Sequence, residues 1–357
     1  MSKKKVTVTA VVIASSVYLA GCGLWPDNEK KEAIDPPQTV TYLKEGEAPV
    51  SENKPVEEGT KDAENQNIAM TELYLIDKNG YVVPQSMPLP NTKSLAKQAL
   101  EYLVVDGPVT NMIPNGFRAV LPAGTEVLSV DIKDGKAIAD FSKEFNEYHK
   151  DDEQKIVQAV TWTLTQFDSV ENIELRVNGQ SLKEMPVNGM ALNPEGLTRE
   201  SGINIDTEDA VDVANTRPLT VYYMAQEEED FYYVPVTKRV SNAEGDNIMA
   251  AVEELVEGPS HSSELVSEFL PDAQLLEEPI VQDGKVTLNF NKSILGSFED
   301  KMISESLLNA LVLSLTEQPG IKSVAVKVDG ESKLVTEKGK PVSESVTRPE
   351  NVNTGSF

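Results

Sequence analysis

From about residue 70 onward the apolar positions alternate in short runs, then recur at helical spacing, then alternate again. Leu73-Tyr74-Leu75-Ile76 and Tyr81-Val82-Val83 flank Asp77-Lys78-Asn79-Gly80. Aromatic and β-branched runs split by turn residues predict a strand pair. Leu95, Ala99, Leu100, Leu103 and Val104 then make one stripe, which predicts a helix. Gly107-Pro108 supplies its stop. Residues 127–132 and 136–141 surround Asp134-Gly135, the favoured two-residue hairpin turn. Ile156, Val157, Val160, Leu164 and Phe167 predict a second helix over about 152–167, and residues 173–177 alternate as a last strand before Val177-Asn178-Gly179.

The same order then returns. Val221-Tyr222-Tyr223 and Phe231-Tyr232-Tyr233-Val234 repeat the strand pair, and Ile248, Ala251, Val252, Leu255 and Val256 repeat the stripe before Gly258-Pro259. Asp283-Gly284 leads into Val286, Leu288 and Phe290. A Leu-rich helix over 303–315 and a strand over 324–328 follow, ending in Val328-Asp329-Gly330. Tyr81, Gly107, Leu121-Pro122, Asp134-Gly135 and Leu164-Thr165 each recur 149 to 151 residues later, at Tyr232, Gly258, Leu270-Pro271, Asp283-Gly284 and Leu315-Thr316. Landmarks in one order at a nearly fixed offset imply duplication. The fold class expected is α+β: two tandem homologous domains, 70–192 and 217–341, joined by a linker at 193–216. Each is a small antiparallel or mixed sheet with two helices packed on one face.

The N-terminus reads differently. Lys3, Lys4 and Lys5 precede a largely apolar stretch and then Leu19-Ala20-Gly21-Cys22. The stretch suits a signal sequence better than a membrane span, which needs about 20 apolar residues. Leu, small, small, Cys resembles the bacterial lipobox. That resemblance implies removal of residues 1–21 and lipidation of Cys22, with palmitate and diacylglycerol holding the chain to a membrane. Cys22 is the only cysteine of 357 residues, so it has no disulfide partner in the chain. Residues 22–69 are acidic with little apolar periodicity, which predicts a disordered tether reaching roughly 40 Å. Residues 342–357 are read as a disordered tail. The net charge of −26 argues against a nucleic-acid partner, since phosphate binding needs clustered cations.

With its lipobox, acidic tether and paired helix-Gly-Pro, Leu-Pro, Asp-Gly-Lys-hairpin-Phe and Val-x-Gly motifs, the chain resembles the GerM family of bacterial spore germination and sporulation lipoproteins. Such proteins carry two GerMN domains, similar to ring-building-motif modules. The resemblance implies a role in sporulation and germination. It places the protein on the extracytoplasmic face of the cell membrane, in the intermembrane space of the developing spore. It also implies partners among envelope or channel-forming sporulation proteins, with peptidoglycan as a further candidate. It brings no catalytic motif and no cofactor.

The residues themselves offer little chemistry. His149 and His261 are the only histidines. They lie at non-equivalent places, without the paired spacing of a zinc site. Ser262 and Ser263 adjoin His261 without a nucleophile elbow. Trp25, near the anchor, suits an interfacial role, and Trp162 suits packing. Asp140, Glu253 and Glu254 are the candidates for a carboxylate pair cutting cell-wall glycan, which requires two acids about 5–9.5 Å apart. Asp140 is replaced by Asn289 in the second copy. The function expected is a non-enzymatic assembly or scaffolding lipoprotein. The alternatives are a peptidoglycan hydrolase and, behind it, a substrate-binding lipoprotein.

Overall fold

The computed structural model describes residues 68–208, 215–227, 230–242, 246–297, 301–342 and 344–354. The expected signal sequence, the expected lipobox Leu19-Ala20-Gly21, Cys22, Trp25 and nearly all of the expected tether lie outside the described residues. No described helix is long and apolar enough to cross a membrane.

Repeat one runs through β1 (Ile68–Asp77), β2 (Val82–Pro90), α1 (Leu95–Glu101), β3 (Phe117–Arg118), β4 (Val127–Lys133), β5 (Lys136–Phe141), α2 (Glu153–Leu164), β6 (Asn172–Val177) and β7 (Gln180–Ser181). Its mixed sheet has the order β4-β5-β6-β7. β4 and β5 pair antiparallel, and the α2 crossover brings β6 parallel to β5. Asp134 and Gly135 take φ values of 50° and 79°, the double left-handed turn that Asp-Gly tolerates. Ten of the twelve residues of α2 are buried, so one apolar stripe does not account for its environment. The long β1–β2 hairpin covers the helix as well: the Tyr74 amide donates to Thr163 Oγ1 at 3.2 Å.

Repeat two follows the same path with β8 (Thr216–Glu227), β9 (Asp230–Ser241), α3 (Asn247–Glu257), β10 (Ile280–Gln282), β11 (Lys285–Phe290), β12 (Met302–Ile303), α4 (Glu305–Thr316), β13 (Ser323–Val328), β14 (Val335–Thr336) and β15 (Val346–Thr347). Its sheet order is β10-β11-β13-β15. The Tyr222 amide donates to Ser314 Oγ at 2.8 Å, repeating the Tyr74–Thr163 contact. Both helices have side-chain caps: Asp246 accepts from Ile248 and Met249, and Ser304 accepts from Leu307. Each cap satisfies amides that the first turn leaves open.

The two-repeat α+β architecture is as the apolar pattern indicates, with three differences. The opening hairpins are longer than their apolar runs, because pairing continues through polar and proline positions: Thr71, Glu72, Pro88 and Pro90 in repeat one, and Thr216, Arg217 and Pro218 in repeat two. Gly258 caps α3 with φ 89°, but α1 stops at Glu101, well before Gly107, and the left-handed residue there is Asp106. Residues 344–354 are not a disordered tail. Thr347 and Val346 pair with Ser323 and Val324 of β13, and Val352 is 2% exposed. The low apolar content of this stretch hid that its few apolar and amide groups have partners elsewhere in the chain.

Candidate functional site

The segments read as linker and tail are one element in two copies. Leu197-Thr198-Arg199 and Val346-Thr347-Arg348 stand 149 residues apart, as do Ile203-Asn204 and Val352-Asn353. Each arm first pairs with its own repeat. Leu197 exchanges backbone hydrogen bonds with Ile173 at 2.8 and 2.9 Å, and Val346 takes the matching place beside Val324.

Each arm then crosses to the other repeat. Ile203 donates its amide to Thr237 Oγ1 on β9 and accepts the Thr237 amide, both at 2.9 Å. Val352 donates to Ser86 Oγ on β2 at 2.8 Å and accepts the Ser86 amide at 3.0 Å. The next residue closes each clasp. Asn204 Oδ1 accepts the Val82 amide, and its Nδ2 donates to the carbonyls of Val82 and Pro235, all at 2.8 Å. Asn353 does the same with the Tyr233 amide and the carbonyls of Tyr233 and Pro84, again at 2.8 Å. Both asparagines have positive φ, 45° and 54°, a region Asn enters more readily than most side chains.

Charge is concentrated at the same seam. Arg199 Nη1 lies 2.9 Å from Glu317 Oε2, and Arg348 Nη1 lies 3.0 Å from Glu317 Oε1. The Glu317 side chain is 9% exposed. Arg199 stacks 4.3 Å from the Trp162 ring, and Arg348 Nη2 donates to the Tyr222 hydroxyl at 3.1 Å. That hydroxyl donates in turn to Glu317 at 2.9 Å. Burial alone would raise the Glu317 carboxyl, but the two guanidiniums and the Tyr222 hydroxyl hold it below the ordinary range. On the far side of the seam Tyr232 donates to Asp77 Oδ2 at 2.8 Å. Burial raises Asp77 despite that bond and those from the Tyr81 and Asn79 amides.

The candidate catalytic acids are occupied or apart. Asp140 Oδ1 accepts the Gly179 amide at 2.9 Å, and Asn289 Oδ1 accepts the Gly330 amide at 2.9 Å. The shared duty is to hold the Val-x-Gly turn, which needs an acceptor and no charge. Glu254 lies 2.7 Å from Lys238 Nζ, with both side chains largely buried. Glu253 is exposed on α3. His149 accepts the Asp151 amide in a short exposed helix, and His261 is exposed. Ser262 donates to Glu208 at 2.5 Å, and the Ser263 hydroxyl accepts the Leu265 amide. Trp162 is 1% exposed within the core of repeat one. Among the described residues no three His, Cys, Asp or Glu side chains gather as a metal site. The reading of the sequence missed Arg199, Arg348, Asn204 and Asn353. Their signal was the second Leu/Val-Thr-Arg pair, which lay outside the assumed repeat boundaries.

Two copies of one α+β module that exchange arms define a tandem-domain protein whose polar residues serve the joint between the copies. The Germane family, described as sporulation and spore germination, matches residues 72–183 and 220–334. The chain is 52% identical over 368 aligned positions to the spore germination protein GerM of Bacillus subtilis (strain 168), covering 100% of each. It also matches the solved tandem GerMN domains of the sporulation protein GerM from Bacillus subtilis, with TM-score 0.77 and 58% identity, over 81% of this chain and 100% of that one. The chain belongs to this family of sporulation and germination proteins with two GerMN domains.

Proposed function

We propose that the chain is a membrane-anchored extracytoplasmic lipoprotein that acts in sporulation and germination as a non-enzymatic assembly factor for an envelope complex. Cys22 carries the lipid, residues 23–67 carry the folded part away from the bilayer, and the two GerMN domains present surfaces to envelope proteins. The observation that carries this reading is the crossed-arm seam. It commits the buried charged and amide groups to holding two modules as one rigid body. Rigid presentation of two faces suits assembly, where ordering on binding would cost affinity.

The engagement of Asp140 by a turn amide and of Glu254 by Lys238 speaks for assembly over carboxylate catalysis. Fractionation of sporulating cells tests the anchor: Cys22→Ala is expected to leave the membrane pellet while keeping a native melting curve. A variant that stays in the pellet would remove the anchor. Peptidoglycan incubated with the purified ectodomain tests the chemistry. Released muropeptides would replace the assembly reading with hydrolysis.

A further inference from the structure

A groove of about 650 Å³ on repeat two runs between α3 and residues 271–278. Val252, Val256 and Leu276 line its floor; Glu253 and Glu257 stand on one rim, and Glu277 and Glu278 on the other. Among the described residues no Lys or Arg lines it.

Repeat one provides the internal control. Leu275 bridges Phe290 as Val127 pairs with Phe141, so Leu276 follows at the place of Leu128, where repeat one bulges, while the Asp-Gly landmarks at an offset of 149 put Pro279 at the place of Val130. In repeat one β4 pairs with β5 from Val127 onward across a bulge at Leu128, and Val130 is 5% exposed. In repeat two the Leu276 amide still donates to the Asn289 carbonyl at 2.7 Å, but the ladder then lapses until Ile280, and Pro279 has no amide to give to it. Leu276, in the groove, is 50% exposed. A contiguous apolar patch with a charged rim marks an interaction surface.

We propose that this groove receives a cationic amphipathic helix of a partner protein, its apolar face on Leu276 and Val256 and its Lys or Arg side chains on the two glutamate rims. Glu253 and Glu257 are one helical turn apart, which matches the i, i+4 spacing of cations on a docked helix. Asn289 Nδ2 donates to Glu277 at 3.3 Å, which places the second rim. A second copy is a poor occupant, since a net charge of −26 repels its like at an acidic groove.

The inference rests on the assembly reading and is tested apart from it. A fluorescent amphipathic Leu/Lys helical peptide is titrated against the purified ectodomain, beside a scrambled peptide of identical composition. The amphipathic peptide is expected to bind at least about tenfold more tightly than the scrambled one. Glu257→Lys and Leu276→Asp are each expected to weaken it by about tenfold or more, and Glu147→Lys, on repeat one, to leave it within about twofold. Thermal melts establish that each variant is folded. Equal binding of the scrambled peptide, or an equal effect of Glu147→Lys, would overturn the proposal in favour of attraction by net charge alone. Concentration-dependent dimerisation abolished by Leu276→Asp would overturn it in favour of a second copy. A photo-cross-linker at Leu128 that captures an envelope protein while one at Leu276 captures none would remove the groove and leave the assembly reading standing.

Discussion

Asn204 and Asn353 make the same three hydrogen bonds from opposite sides of the seam, each joining the hairpin of its own repeat to that of the other. The relation is reciprocal, as in an isologous dimer interface, although both halves belong to one chain. Val83 of β2 packs into the core of repeat two, and Phe117 meets the Tyr232 ring at 5.1 Å. The hairpins therefore share apolar and polar contacts across the seam.

The clasp makes the two asparagines equivalent in energy. Asn204→Ala and Asn353→Ala should each cost about 2–3 kcal/mol, from the lost hydrogen bonds and the strained left-handed backbone. Urea denaturation of each single variant measures this. Costs differing severalfold would break the reciprocity.

Removal of the second arm separates an ordered strap from a loose tail. A chain ending at residue 345 loses Arg348 from Glu317 and Val352 from Ser86. Its melting temperature should fall by roughly 5–10 °C. An unchanged melt in calorimetry would mean that the arm contributes nothing.

Glu317 links acid sensitivity to the seam. Its folded pKa lies below its unfolded value, so its stabilisation is complete above about pH 4.5 and is lost as pH falls through the lowered folded value. Glu317→Gln should flatten the acid limb of the stability profile. Glu317→Ala should cost about 2–3 kcal/mol at neutral pH by leaving two guanidiniums facing each other. Asp77 works with the opposite sign. Its raised folded pKa adds stability at low pH that is lost as pH rises through that value. Tyr232→Phe should raise the Asp77 pKa further, which a carboxyl NMR titration reads directly.

Asp140 distinguishes architecture from catalysis. Asn289 performs the same turn contact, so Asp140→Asn should change stability by less than about 0.5 kcal/mol, whereas Asp140→Ala should cost about 1 kcal/mol. Spore formation and germination should be normal in the Asn variant. A null phenotype with a native melting curve would return Asp140 to the list of reacting groups.

The repeated elements were legible because strands, helices and Asp-Gly turns each follow local rules. Val286, Leu288 and Phe290 alternate, and all three are buried. The arms were not legible by those rules. Val352 is an isolated apolar residue and Ile203 has only Ile205 beside it, in polar surroundings, too short a run to show a period. Their partners Thr237 and Ser86 lie in the opposite repeat, and no local pattern encodes a contact that crosses a duplication. Pro279 was visible in the sequence, but the lapse in the ladder beside the groove required knowing that Val130 holds the matching place in β4. Glu254 reads as a candidate catalytic acid in the sequence, and its pairing with Lys238 of β9 answers to no local pattern.

Cross-linking mass spectrometry on membranes from sporulating cells tests the assembly claim most directly. The account expects links from both repeats of the native, anchored chain to another envelope protein, and expects Cys22→Ala to abolish them. Links confined to the chain itself, with sporulation intact, would contradict it.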